Sequence, residues 1–356
     1  MTWLVNPKQR GLALFCCLIG GSLSIVFLSF FAEKANHRSN GFIRLVPPHI
    51  AMPANIKDIG YNTFYLAGGT TTHFFLANHV APGFILSMNT RLKDSTSSRI
   101  SLHSAGGRFA KALNITIDSP AIYLFEGITP TVVQGRLSDS TLHRIPGKFY
   151  FNLATALSPV SEIYRAVDDR QHLNILVKKL HDSVTRGDSI LEKQVDGIFC
   201  TDGTLHAQAD SNRLVYVYHY RNQFICMDTN MRVLFRGRTI DTNTRVKFTV
   251  GHIPSQKAFT MSSPPLFVNK ESCISGNFLF IRSGLHADNE ELTIFQKTSP
   301  IDVYSLINGS YLCSFYLPDY HHNKIRDFRI CGNTLVALYD HYIYTYTLHL
   351  PDKLQK

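Results

Sequence analysis

The chain has 356 residues, 44% hydrophobic and 17% charged, proportions that exclude a disordered chain and allow a sizeable core. Its formal net charge of +10 suits an anionic partner, but the Lys and Arg are scattered without a run of five or six like charges. That scatter excludes a basic tail and gives no specific nucleic-acid partner.

The first segment in chain order is "GLALFCCLIGGSLSIVFLSFF", residues 11–31, uncharged and preceded by Lys8 and Arg10. Its length is about what a helix needs to cross a bilayer core of roughly 30 Å. It exceeds the roughly 7 to 15 apolar residues of a cleaved signal, and the bulky Phe30 stands where a cleavage site needs a small residue. The expected organisation is a cytoplasmic stub 1–10, a transmembrane signal anchor 11–31, a stalk 32–41, a folded domain 42–350 and a tail 351–356. The positive N-terminus then places the chain in the cytoplasmic (inner) membrane as a single-pass protein, partnered with the membrane through 11–31, its C-terminal domain in the periplasm or outside.

"GFIRLVPP" follows, a short strand at 42–46 closed by Pro47 and Pro48. Strand-like runs then dominate. The residues "SEIYRAVDDRQHLNILVKKLHDSV" place Leu173, Leu176, Val177 and Leu180 at helical spacing, yet they too are read as strands. The clearest unit is "NRLVYVYHYRNQFICMDTNMRVLFRG", residues 212–237. "RLVYVYHY" alternates Leu214, Tyr216, Tyr218 and Tyr220 against Val215, Val217 and His219, and turns at Arg221-Asn222 and Asn230-Met231 separate it from two more strands. With "GTLHAQAD" before it, the unit is a four-stranded antiparallel meander.

Similar units recur from "NTFYLAGG" onward, with Phe64, Tyr123, Tyr164, Tyr216, Phe280 and Tyr339 at corresponding places and Asn308-Gly309 as the strongest hairpin signal. The last unit supplies three strands, 326–331, 334–339 and 342–348, so the isolated strand at 42–46 is expected to fill the fourth place and close a ring. The expected fold is all-β, a six-bladed β-propeller of four-stranded antiparallel blades behind an N-terminal transmembrane helix. The run "DGTLHAQADSNRLVYVYHYRNQFICMDTNMRVLF" resembles the TolB-like six-bladed β-propeller superfamily of bacterial envelopes, over most of 42–350 but without TolB's N-terminal α/β domain. The resemblance implies a binding platform or, in a minority of such propellers, an enzyme.

Arg165, Arg221, Arg236 and Arg282 fall near strand ends in separate units, and converging at one mouth they would hold an anionic or carbohydrate ligand by forked hydrogen bonds. "FCTDGTLH" adds Asp202 and His206, although Asp202-Gly203 is also a turn pair. The expected ligand-binding set is Arg165, Asp202, His206, Arg221 and Arg282. HExxH, GxSxG and GxxxxGK[ST] are absent, "GGRFAK" makes no phosphate loop, and no catalytic residue, metal ligand or cofactor is assigned. Cys200, Cys226, Cys273, Cys313 and Cys331 lack CxxC spacing and read as buried small hydrophobes.

The expected function is a binding or scaffolding module for an envelope protein or a small ligand. The alternative is a propeller enzyme, a lactonase-like hydrolase or quinone-dependent dehydrogenase, with its site at the central channel. Catalysis calls for polar groups of shifted pKa around the channel, binding for an exposed apolar patch at one face.

Overall fold

The computed structural model describes residues 7–36, 40–102, 109, 113–139, 142–168, 170–253 and 258–350. The start of the stub at 1–6, the tail at 351–356 and most of "GGRFAK" lie outside the described residues. The chain divides into two units, Met1–Gly41 and Phe42–Lys356. The first contains α1 (Pro7–Asn36), in which Gly20, Gly21, Ser22 and Ser24 dilute the apolar run at its middle. Ser24 Oγ donates to the Gly20 carbonyl at 2.8 Å. Among the described residues no helix is long and apolar enough to cross a membrane. That finding overturns the expected anchor at 11–31, and with it the membrane partner and the inner-membrane location.

The second unit begins with an arm at 42–46 and then β1 (Ala51–Asp58). Next come β2 (Phe64–Gly69), β3 (His73–Asn78), β4 (Phe84–Asn89) and β5 (Ser95–Arg99), paired in sequence order. The strands β6 (Asn114–Asp118), β7 (Ala121–Glu126), β8 (Thr131–Arg136) and β9 (His143–Pro146) repeat the pattern in the same sheet. A parallel bridge from Gly68 to Ile117 joins β2 to β6, so both run in one direction. A Cβ on Gly68 would lie 1.9 Å from the Ile117 carbonyl oxygen, so only glycine admits this approach.

Separate four-stranded sheets follow. One holds β10 (Phe151–Ser158), β11 (Ser161–Asp168), β12 (Leu173–Leu180) and β13 (Ser183–Gly187), which confirms strands where the leucine spacing looked helical. The next holds β14 (Gly203–Gln208), β15 (Arg213–Tyr218), β16 (Phe224–Met227) and β17 (Val233–Gly237). A hairpin of β18 (Val250–Ile253) and β19 (Ala258–Met261) is inserted before β20 (Asn269–Ser275), β21 (Phe278–Ser283), β22 (Thr298–Ser305) and β23 (Tyr311–Pro318). The short α2 (Leu292–Gln296) lies between β21 and β22. Last come β24 (Asp327–Cys331), β25 (Thr334–Tyr339) and β26 (Tyr342–Leu348), with β1 as their fourth strand.

The first strands touch in order, β10 with β14, β14 with β20, β20 with β24 and β24 with β2, the arrangement of a β-propeller. Closure uses β1, in register from Ala51 opposite Leu348 to Asp58 opposite Tyr342, and not the expected 42–46. Pro53 is tolerated because β1 ends its sheet and a register shift follows at Pro53/Asn55. The arm 42–46 is instead bound to the sheet of β20 to β23. Arg44 is fully buried there, its Nη1 donating to both Glu290 carboxylate oxygens at 2.7 Å and its Nε to Asp302 Oδ1 at 2.8 Å.

The second strands form the core. Leu214, Val215, Tyr216, Val217 and Tyr218 on β15 are buried, because the sheet is covered on both faces. Tyr123, Tyr164, Tyr216, Phe280 and Tyr339 occupy second strands as expected, whereas Phe64 opens the first strand β2. Aromatic rings fasten neighbouring sheets: Phe125 meets Tyr164 edge-on at 6.2 Å and Phe224 meets Tyr304 at 5.7 Å. Each such buried ring contributes about 1.5–3 kcal/mol by area alone.

The two ends of the strands differ. At one end the chain turns tightly, at 119–120, 159–160, 181–182, 276–277 and 332–333. At the end where the first strands begin, it spends 188–202, 238–268 and 284–297 on connections.

Candidate functional site

Two first strands are bulged near their starts, β10 between Phe151 and Leu153 and β20 between Asn269 and Ser272. A bulge re-aims the side chains within it. In β10 the bulged Asn152 accepts from Arg165 Nε at 2.6 Å, and in β20 Glu271 is bound by Arg282 Nε. Arg165 also donates to Tyr216 Oη at 2.7 Å and the Gly203 carbonyl at 3.3 Å, and it pairs with Asp202 at 2.8 Å. Both arginines therefore use their Nε to hold the bulged residue of the first strand beside them.

Arg221 lies elsewhere. Its guanidinium sits 3.7 Å from the centre of the Tyr218 ring and donates to the Glu192 carbonyl at 2.9 Å, wholly buried between the 188–202 and 219–223 connections. Asn269 Nδ2 donates to the Arg221 carbonyl at 3.0 Å.

His206 faces the neighbouring first strand. Its Nε2 is 2.8 Å from Ser272 Oγ, which is 2.6 Å from Thr204 Oγ1. Burial, then the Arg329 charge, pushes the imidazole down to about 3, so it is neutral at physiological pH. Of the five expected site residues, the structure brings Arg165 and Asp202 together, sets His206 on β14 and Arg282 on β21 in the next sheet, and leaves Arg221 apart.

The inner rim holds further polar groups that the sequence reading passed over: Thr204, Lys270, Glu271, Ser272, Asp327 and Arg329 on β14, β20 and β24. The signal was present in "NKESCIS" and "DFRIC", strands with charged residues at positions that a purely structural strand would fill with apolar ones. Burial pushes the Asp327 carboxyl up to about 6, although the Leu66 N–H donates to its Oδ2 at 3.0 Å and Arg329 favours its charge. Burial, then the Arg282 charge, lowers the Lys270 ammonium. Cys273 is pushed up to about 12 and Cys331 to about 11 by burial, which leaves both as unreactive thiols at neutral pH. Among the described residues no group of His, Cys, Asp and Glu has the arrangement to hold a metal ion.

Outside the rim, apolar side chains stand exposed on several connections: Tyr61 before β2, Val80 between β3 and β4, Ile128 between β7 and β8, and Tyr150 between β9 and β10. The parallel bridge between β2 and β6 fixes all four at the same end of the strands. A cleft of about 200 Å³ lined by Ile128, Phe125, Phe151 and Asn152 adjoins them.

No protein-family model and no curated sequence matches the chain. Among solved structures, YCF48 bound to D1 peptide is 11% identical, with 86% of this chain and 100% of that one covered at a TM-score of 0.44. The virginiamycin B lyase from Staphylococcus aureus, with quinupristin, is 11% identical over 83% of this chain and 99% of that one, at a TM-score of 0.47. A DUF4221 member from Bacteroides vulgatus is 10% identical over 88% and 99%, at 0.46. These are β-propeller-type proteins, and none singles out the TolB-like group.

Proposed function

We propose that the protein is a six-bladed propeller acting as a protein-binding module, with its recognition surface at the end where the first strands begin. The blade count takes each four-stranded sheet as one blade and the eight-stranded sheet as two. The TolB-like affinity rests on the 202–235 repeat. The binding reading is carried by one observation: Val80 is 77% exposed, Tyr61 69%, Ile128 62% and Tyr150 55%, on four connections at one end. Apolar side chains gathered on one face mark a protein contact surface. Connections fixed to a rigid ring lose little entropy when they engage a partner.

The pairing of Arg165 with Asp202 and of Arg282 with Glu271 balances the positive charge that an anion-reading mouth would need at those positions. Catalysis is not favoured either. His206 beside Ser272 has the spacing of a base and nucleophile, but a base that titrates at about 3 has little proton affinity at neutral pH.

A photo-crosslinking side chain placed at Val80 or Ile128 in cells is expected to give a discrete adduct with one partner. The same probe at Ile307, also exposed but at the tight-turn end, is expected to give none. Adducts of equal yield from both ends would overturn the proposal.

A further inference from the structure

Three features of the inner rim point to a ligand of its own. First, Arg329 makes no hydrogen bond or ion pair among the described residues, whereas Arg44, Arg165 and Arg282 are each bound to a carboxylate. The side chain is only half-buried, and its Cδ runs past Gly69 of β2, where a Cβ would stand 3.2 Å away. Glycine at 69 thus lets the Arg329 stem pack close against β2. Lys270 is likewise half-buried and without a hydrogen-bond partner among the described residues.

Second, the charges do not cancel. Arg282, Lys270 and Arg329 stand against Glu271 and Asp327, which leaves one positive charge, while the nearby Lys324 is matched by Asp319 at 3.6 Å and Arg326, which also faces Asp327, is matched by Asp340. Third, Ser272 Oγ lies between Thr204 Oγ1 and His206 Nε2, at 2.6 and 2.8 Å. This is a short hydroxyl chain whose protons can turn toward an acceptor.

We propose that the rim formed by β14, β20 and β24 binds the carboxylate of a small monoanionic ligand, with Arg329 as counter-ion and the Thr204 and Ser272 hydroxyls as donors. A planar carboxylate matches the guanidinium fork. The single excess charge, with Glu271 and Asp327 close by, favours a monoanion over a phosphate dianion. Asp327 faces the Leu66 N–H from β2, Glu271 from β20 and Arg329 on its own strand, and its protonation below about 6 adds a second excess positive charge.

The test is calorimetric titration of the full chain with sodium acetate and with inorganic phosphate at constant ionic strength. Saturable acetate binding is expected at pH 7.5, tighter at pH 5.5, and weaker for phosphate. Arg329→Gln should weaken acetate at least tenfold, Ser272→Ala by about fivefold, and Arg329→Lys by less than Arg329→Gln. Absence of saturable binding, phosphate binding as tight as acetate at pH 7.5, or full affinity in Ser272→Ala would each overturn the proposal. Ser272→Ala removes a single hydroxyl, so it decides the matter if Arg329→Gln does not fold. The site lies on the strands β14, β20 and β24 and not on the connections that carry Val80 and Ile128, so Ile128→Asp should leave acetate affinity unchanged.

Discussion

Arg165 and Arg282 perform the same task in two sheets, each reaching from a second strand to a bulged residue of the first, Asn152 in one and Glu271 in the other. From sequence alone each was an arginine near a strand end. What it binds depends on a bulge that no local pattern announces. Asp327 carries the sharpest pH consequence. Its folded pKa of about 6 lies above the ordinary carboxyl value, so the stability linked to its protonation is fully present below about 4 and lost as the pH rises through 6. Asp327→Asn should therefore raise the thermal unfolding midpoint by roughly 2–4 °C at pH 8 and leave it unchanged at pH 4, as calorimetry would record. His206 has the opposite sign. Held at about 3, below its ordinary 6.5, it contributes stability above 6.5 that is lost as the pH falls toward 3, and His206→Gln should flatten that part of the acid unfolding curve.

At the level of elements, β1 takes the closing role that the sequence suggested for the arm. A short apolar run such as Phe42 to Val46 reads the same in a paired strand and in an extended arm, and the burial of Arg44 depends on Glu290 and Asp302, far along the chain. The sequence offered no strand at 51–58, and Pro53 is acceptable in β1 only because that strand ends its sheet. The outer strands β5 and β13 were also hard to see: Ser95–Arg99 is exposed throughout and Ser183–Gly187 nearly so, so neither has a buried face to impose alternation. The second strands were legible for the converse reason. Arg44→Ala should cost about 3–5 kcal/mol in urea unfolding, since it strands two buried carboxylates. Adding Glu290→Gln and Asp302→Asn should recover most of that loss, and failure to do so would mean that the arm holds by packing rather than by charge.

For the whole molecule, the repetition of meanders was readable because each unit brings the same buried second strand. The end proposed as the recognition surface was not, since the connections 188–202, 238–268 and 284–297 share no pattern with one another. Truncation separates the two N-terminal segments. A chain lacking 1–41 should keep its unfolding midpoint, because the second unit starts at Phe42. A chain lacking 1–58 leaves β26 without its partner, and light scattering should show it associating through that open edge. The same pairing imposes an order on the protein's manufacture. Ala51 leaves the ribosome among the first residues of the domain and its partner Leu348 among the last, so at roughly 5–20 residues per second β1 must wait on the order of tens of seconds for a strand that does not yet exist. Pro53 and the register shift beside it, which make β1 a poor template for any other strand, guard the chain during that interval.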